Sequence, residues 1–260
     1  MAGDASCIGL SVGGAEAWRD LTARASVKAR EVPSKRGHYL VWECPEGPQI
    51  WFHGERRRDG SRNITGFNFH FTGPSRVPTN VTHLIDAPKA GPWSLERPYE
   101  GKLRGWAAPV PGAGPEAEGE VSYLCDLPDY DVPRGWKPPR ACEVQVAAFA
   151  RELTIFPDAD AFDAAQAGAN PPALSRALVS AGAVLGEAAW GETEAAAQMT
   201  GIVMDFEERS NPLTDQAFLW MSVYTLGGTV DVIADPAAAA GVPERGAVVH
   251  GSFRLSGKTL

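Results

Sequence analysis

Residues 64 to 72, I-T-G-F-N-F-H-F-T, alternate apolar and polar positions, with Phe67, Phe69 and Phe71 on one parity and Asn68, His70 and Thr72 on the other. A period of two predicts a strand with one buried face. Two more strand-like runs precede it, His38 to Cys44 and Gln49 to His53. Upstream, Trp18, Leu21, Ala25 and Ala29 recur at helical spacing within Ala15 to Arg30, after a Gly13-Gly14 break and an apolar run, Cys7 to Val12, that predicts a strand. The first seventy residues therefore read as β-α-β-β-β. Between the second and third of the later strands lies Glu55-Arg56-Arg57-Arg58-Asp59-Gly60-Ser61-Arg62. Its Asp-Gly pair suits a tight turn and makes this a hairpin tip.

From Val81 to Tyr130 the pattern breaks into brief strands, V-T-H-L-I, K-L-R-G-W-A-A and V-S-Y-L-C-D-L, separated by Pro and Gly. After a Pro-rich break at 131–140, Cys142 to Phe156 reads as a strand, although Ala-rich spacing in its middle competes for helix. Asp158 has the chemistry of an N-cap for a short helix to Ala167. Residues 168 to 196 form an irregular link with room for one helix, Ala173 to Leu185. The last sixty residues are patterned most clearly, with strands at Met199 to Glu208, Ala217 to Thr225, Thr229 to Ala234 and Ala247 to Leu255. Leu226-Gly227-Gly228 makes a hairpin turn, and Asp235-Pro236 opens a short helix. If the final strand bends at Gly251, this end becomes β-β-β-α-β-β, an OB-like barrel. The expected fold class is α+β, mostly β, with a β-α-β-β-β region at 1–104, a loop-rich β and linking region at 105–198, and the barrel at 199–260.

Two resemblances follow from these residues. The order β-α-β-β-β resembles one module of the glyoxalase-type (vicinal oxygen chelate) fold, which implies paired modules around a divalent metal. The segments Gly227-Gly-Thr-Val-Asp-Val-Ile-Ala-Asp-Pro236 and Gly251-Ser-Phe-Arg-Leu-Ser-Gly257 resemble a family of uncharacterised bacterial proteins, with weaker echoes at Cys142 to Phe156 and Gly66 to Gly73. That likeness implies a bacterial, intracellular protein and no particular activity.

Composition narrows the setting. The chain has 260 residues and 44% hydrophobic content, enough for one large or two small cores and too much for disorder. No run approaches the roughly 18 apolar residues of a membrane span, and Asp4 stands where a signal peptide would carry positive charge. A cytoplasmic protein is expected, with Cys7, Cys44, Cys125 and Cys142 as free thiols and the sequons at Asn63 and Asn80 as chance matches. Eighteen Arg against six Lys, with abundant Ala, Gly and Pro, suit a G+C-rich bacterial gene. Charge is split along the chain: residues 1–104 carry 15 basic and 11 acidic groups, 105–198 carry 5 and 14, and 199–260 carry 4 and 7.

Several chemistries are nearly present. Gly9-Leu-Ser11-Val-Gly13 matches a nucleophile elbow, yet too few residues precede it to build the required sheet. Gly257-Lys258-Thr259 mimics the end of a P-loop without the helix that must follow. Asp158, Asp160 and Asp163 miss the EF-hand ligand pattern at Phe162 and Asp163. His53, His70 and Glu43 would make a workable metal set if neighbouring strands aligned them. Arg56, Arg57, Arg58 and Arg62 on the hairpin tip offer an anion or nucleic-acid contact, against which stands their use as edge protection. Phe218, Trp220 and Tyr224 share a face on which bases could stack, but the acidic carboxyl-terminal segment argues against nucleic acid and for a packed or protein-facing surface. Trp42, Trp51, Trp106, Trp136 and Trp190 read as core or interface anchors rather than sugar platforms. The expectation is a non-catalytic binding or assembly module of the bacterial cytosol, without cofactor or membrane. Its partner is unknown, with a protein partner or homo-oligomer favoured over nucleic acid. A metal-dependent enzyme of glyoxalase-like architecture is the alternative.

Overall fold

The computed structural model describes residues 3–34, 38–56, 62–86, 100–168 and 175–260. The protein is α+β and mostly β. Among the described residues the α-helices are α1 (Asp4–Cys7), α2 (Gly14–Val27), α3 (Ala159–Ala165) and α4 (Ala181–Val184). A small sheet holds β1 (Arg30–Pro33), β2 (His38–Glu43), β3 (Pro48–Arg56) and β4 (Arg62–Phe71), paired antiparallel in that order. A large sheet holds β5 (Val77–Asp86), β6 (Gly101–Pro109), β7 (Gly119–Asp126), β8 (Arg140–Phe156), β9 (Leu178–Ser180), β10 (Ala196–Asn211), β11 (Gln216–Thr225), β12 (Gly228–Ala234), β13 (Ala239–Ala240) and β14 (Val248–Thr259). Among the described residues no helix is long and apolar enough to cross a membrane.

The amino end departs from the expected strand at Cys7 to Val12. Those residues form the end of α1 and a turn in which Gly9 N donates to Ser6 O at 3.0 Å and Leu10 N to Ala5 O at 2.8 Å. Cys7, Ile8 and Leu10 are fully buried, so the apolar run reports burial and not pairing. Gly9 makes the turn possible: its φ is +70° and a Cβ there would lie 2.6 Å from Gln216 O. The order is thus α-α-β-β-β-β, and the element order behind the glyoxalase-type resemblance is not formed in the described residues. The helical spacing was a good guide to α2, which buries Leu21 and Ala25 and lays Trp18 6.1 Å from the Phe67 ring.

The alternation in β4 divides the small sheet as predicted. Phe69 and Phe71 join Trp42, Ile50 and Phe52 in a core with α1, α2 and the outer side of β8, β11 and β12. The opposite face, which includes Gln49, Trp51, His53, Asn68 and His70, is buried too.

The large sheet is organised around the ladder between β8 and β14, which pair antiparallel from Val144↔Thr259 to Phe156↔Val248. The meander β5–β6–β7 runs from β8, which it meets antiparallel at Val77↔Val144, to β14, which it meets parallel at Asp126↔Ser256. The meander β10–β11–β12 repeats this with the two long strands exchanged: β10 pairs antiparallel with β14, and β12 pairs parallel with β8 at Asp231↔Ala147. The registers agree in detail. Ile85 faces Lys102, and Asp205 faces Ser222, each 120 residues further along. Asp126 and Asp231 are equivalent positions, and their partners Ser256 and Ala147 pair with each other. Each meander forms a closed five-strand circuit only by borrowing the other's long strand.

Residues 199–260 accordingly supply most of four strands of their circuit, and β8 supplies the fifth. Gly251 does not divide the last strand in two, and β14 runs as one element to Thr259. Gly251 is required instead for close approach, since a Cβ there would stand 2.0 Å from Glu152 O, next to a register shift at Ser252/Phe253. Both circuits share one apolar interior that includes Val81, Leu103, Val144, Met221, Phe253 and Leu255. Asp158 caps α3 as predicted, its Oδ1 accepting from Ala161 N at 2.8 Å. The described part of the link, 175–196, differs from its predicted helix: Leu178–Ser180 adds a short strand, Ala181–Val184 is α-helical and Glu187–Ala189 makes a separate 3-10 turn.

Candidate functional site

The strand pairings decide which sequence candidates meet. Glu43 faces Gln49, and Gln49 faces His70, so these three share one row across the small sheet. His53 faces Gly66, four residues further along β3, a separation of about 13 Å at strand rise. Each group is also engaged locally. Arg30 Nε donates to Glu43 at 2.8 Å and holds that carboxyl below its usual range, while Gln49 Nε2 donates to its other oxygen at 2.9 Å. His53 lies 3.2 Å from Glu100 and 2.7 Å from Asn68 Nδ2. Tyr39 donates its hydroxyl to Glu100 at 2.6 Å and accepts from Asp131 N at 3.1 Å. Among the described residues no group of three or more His, Cys, Asp or Glu is placed to hold a metal.

Of the arginine tip, residues 57–61 and the side chains of Arg56 and Arg62 lie outside the described residues; the backbones of Arg56 and Arg62 pair at the ends of β3 and β4. Ser11 is exposed between two helices, clamped through its backbone to Gln216 at 2.8 and 2.7 Å. Lys258 and Thr259 end a strand and not a phosphate loop. Asn80 is buried, donating to Gly114 O and Ala117 O, which leaves no room for a glycan.

Beneath the small sheet His70 is fully buried, its Nδ1 2.8 Å from Ser256 Oγ. Burial above all, then the Lys258 ammonium, pushes its pKa down to about 3, while the neighbouring Gln145 acts the other way. Gln145 lies opposite Lys258 on the long ladder and donates to Asp231 Oδ2 at 2.8 Å. Asp231 also accepts from Trp220 Nε1 at 2.9 Å and Ser75 N at 3.1 Å, which satisfies a carboxylate with no exposure. Lys258 reaches over Trp51, 5.3 Å from its ring. Burial raises Asp129 to about 6 against the opposing pull of Lys258. Three buried atoms here, His70 Nε2, Gln145 Oε1 and Asp129 Oδ1, complete no hydrogen bond.

The neighbouring surface opens into a cavity of about 390 Å³, with Thr82, His83, Leu84 and Asp86 of β5 on one wall and Tyr130, Arg134, Trp136 and Pro138 of the β7–β8 connection on the other. A register shift between Val81 and His83 explains why three successive residues of one strand line it, since a bulge re-aims side chains that would otherwise alternate. Arg134 Nη2 lies 2.7 and 2.8 Å from the two Asp86 oxygens, and its guanidinium sits 5.6 Å from the Tyr130 ring. Arg140 covers Trp136 at 4.2 Å. The His83 ring is fixed by an edge contact with Trp190 at 5.0 Å and by Nδ1 to Thr82 Oγ1 at 3.0 Å, so Nε2 is the nitrogen left for a ligand. Sequence reasoning placed this connection in a Pro-rich break; the one signal was Trp136, a large aromatic where a solvated loop needs none.

No protein-family model matches the chain, and neither the curated proteins nor the solved structures gave a significant match.

Proposed function

We propose that this chain is a small-molecule binding module that works without catalysis, through the cavity between β5 and the β7–β8 connection. The observation that carries this reading is the cavity itself. Its volume of about 390 Å³ falls within the range of roughly 300–1,000 Å³ usual for ligand sites, and its walls combine aromatic surface with a few convergent polar groups. We read the two five-strand circuits as OB-like, an architecture whose loops and strand faces commonly carry ligands, and this adds fold-level support only. Four free thiols suit a reducing compartment, in line with a bacterial cytosolic setting. The test is a ligand-observed NMR screen of a fragment library against the full chain and against Thr82→Trp, which fills the cavity. Compounds that bind the parent should lose binding in the variant and be recovered unchanged. Hits that ignore the variant would place binding elsewhere, and turnover of a hit would make the protein an enzyme.

A further inference from the structure

The ligand class follows from the charge balance and shape of the same cavity, and the inference rests on that cavity being the binding site. We propose that it takes a neutral sugar, an unbranched disaccharide or the end of a glycan. Among the described lining residues the one cation and one anion, Arg134 and Asp86, are already matched, with Arg134 Nη2 touching both carboxylate oxygens at 2.7 and 2.8 Å. An anionic ligand would have to displace Asp86 from Arg134 and then lie beside it; a cationic one would have to displace Arg134. A neutral polyol meets neither penalty. Vicinal hydroxyls both donate and accept, and a paired guanidinium and carboxylate present donors and acceptors side by side. His83 Nε2 adds a group that can do either according to tautomer.

The remaining walls suit the C–H surface of a pyranose. Trp136, Leu84 and Pro138 supply apolar surface, and Trp136 keeps partial exposure whereas Tyr130, Trp42, Trp51 and Trp190 are buried. Arg140 stacks on Trp136 at 4.2 Å, which holds the indole in place without entering the lining. At the binding efficiency usual for ligands of this size, a hexose of twelve non-hydrogen atoms would bind at about millimolar strength and a disaccharide at about ten micromolar.

The experiment titrates the full chain with maltose, cellobiose and lactose, with citrate and benzoate, and with choline, read by ligand-observed NMR and tryptophan fluorescence. At least one disaccharide should saturate, and both Trp136→Ala and Asp86→Asn should weaken it tenfold or more. Trp136 also packs against the core, so Asp86→Asn, at an exposed side chain, is the variant expected to keep the parent melting temperature. Saturation by citrate, benzoate or choline alone overturns the sugar assignment and leaves the cavity as a binding site. Sugar binding indifferent to both variants also overturns it. No saturation by any probe, in a protein that likewise yields no hit blocked by Thr82→Trp, overturns both readings.

Discussion

His70 and Asp129 should give opposite pH dependences that hide each other. An unfolded histidine takes up a proton near pH 6.5, but folded His70 refuses it until about pH 3, so this group's contribution to stability falls as pH drops through that window. Asp129 runs the other way. Its folded carboxyl keeps a proton up to about pH 6 and the unfolded one only to 3.8, so its contribution falls as pH rises between those values. At about 1.4 kcal/mol per pH unit, each changes by about 2 to 3 kcal/mol between pH 4 and pH 6, with opposite sign. His70→Gln keeps an acceptor for Ser256, and Asp129→Asn keeps the shape of the carboxyl. Urea unfolding of parent, single and double variants at pH 4, 5 and 6 reads the effect as a difference from the parent, which cancels titrations elsewhere. The stability of His70→Gln relative to the parent should fall by about 2 to 3 kcal/mol from pH 4 to 6, and that of Asp129→Asn should rise by as much. Lys258 acts on both groups, so departure of the double variant from additivity measures that shared neighbour. A His70→Gln difference that stays flat within about 0.5 kcal/mol would show that burial does not suppress this imidazole, and the reasoning would fail.

Truncation after Gly246 removes β14, with Val249, Phe253 and Leu255 buried to 1% exposure or less. At about 1.5 to 3 kcal/mol each, their loss rivals a domain's whole stability, so the product should be insoluble or protease-sensitive, and Phe253→Asp nearly so; a soluble truncation with an unchanged melting temperature would sink this. Gly73→Ala would place a Cβ 2.2 Å from the Asp231 carboxylate, whereas Gly114→Ala meets nothing within 4 Å. The first should cost about 3 kcal/mol or more in urea unfolding and the second within about 0.5, and equal costs would contradict the packing of Asp231. Single-stranded DNA should show negligible affinity at physiological salt; a salt-sensitive micromolar complex abolished by Arg56→Glu, Arg57→Glu and Arg58→Glu would restore the hairpin tip as a site.

Local pattern carried much of the fold. Alternation located β2, β3 and β4 and put His70 on the face away from the phenylalanines, and turn chemistry placed the Gly227-Gly228 hairpin and the Asp235 and Asp158 caps, whose side chains accept from Ala237 N and Ala161 N. What failed was whatever depends on a distant partner. Cys7 to Val12 has the apolarity of a strand but no neighbour to pair with among the described residues, and Arg30, expected as the end of a helix, begins the edge strand Arg30–Pro33 that pairs with β2. The strand that completes the carboxyl-terminal circuit lies at 140–156, far from the segment it serves, and no periodicity records that. The cavity was illegible for the same reason. Thr82 to Asp86 and Tyr130 to Pro138 are unremarkable stretches until strand pairing sets them face to face.

The exchange of β8 and β14 between two meanders gives the molecule the geometry of a strand-swapped dimer whose chains have been joined end to end. During synthesis the first meander and β8 emerge about ninety residues before β14, so β8 must wait with its longest edge unpaired. Such a strand invites pairing with a second chain, and contacts this far apart in sequence form slowly. Splitting the chain between β9 and β10 would leave each half with an open circuit. Each could be completed by the other half or by a copy of itself, which makes this fold a natural candidate for reassembly from two co-expressed fragments.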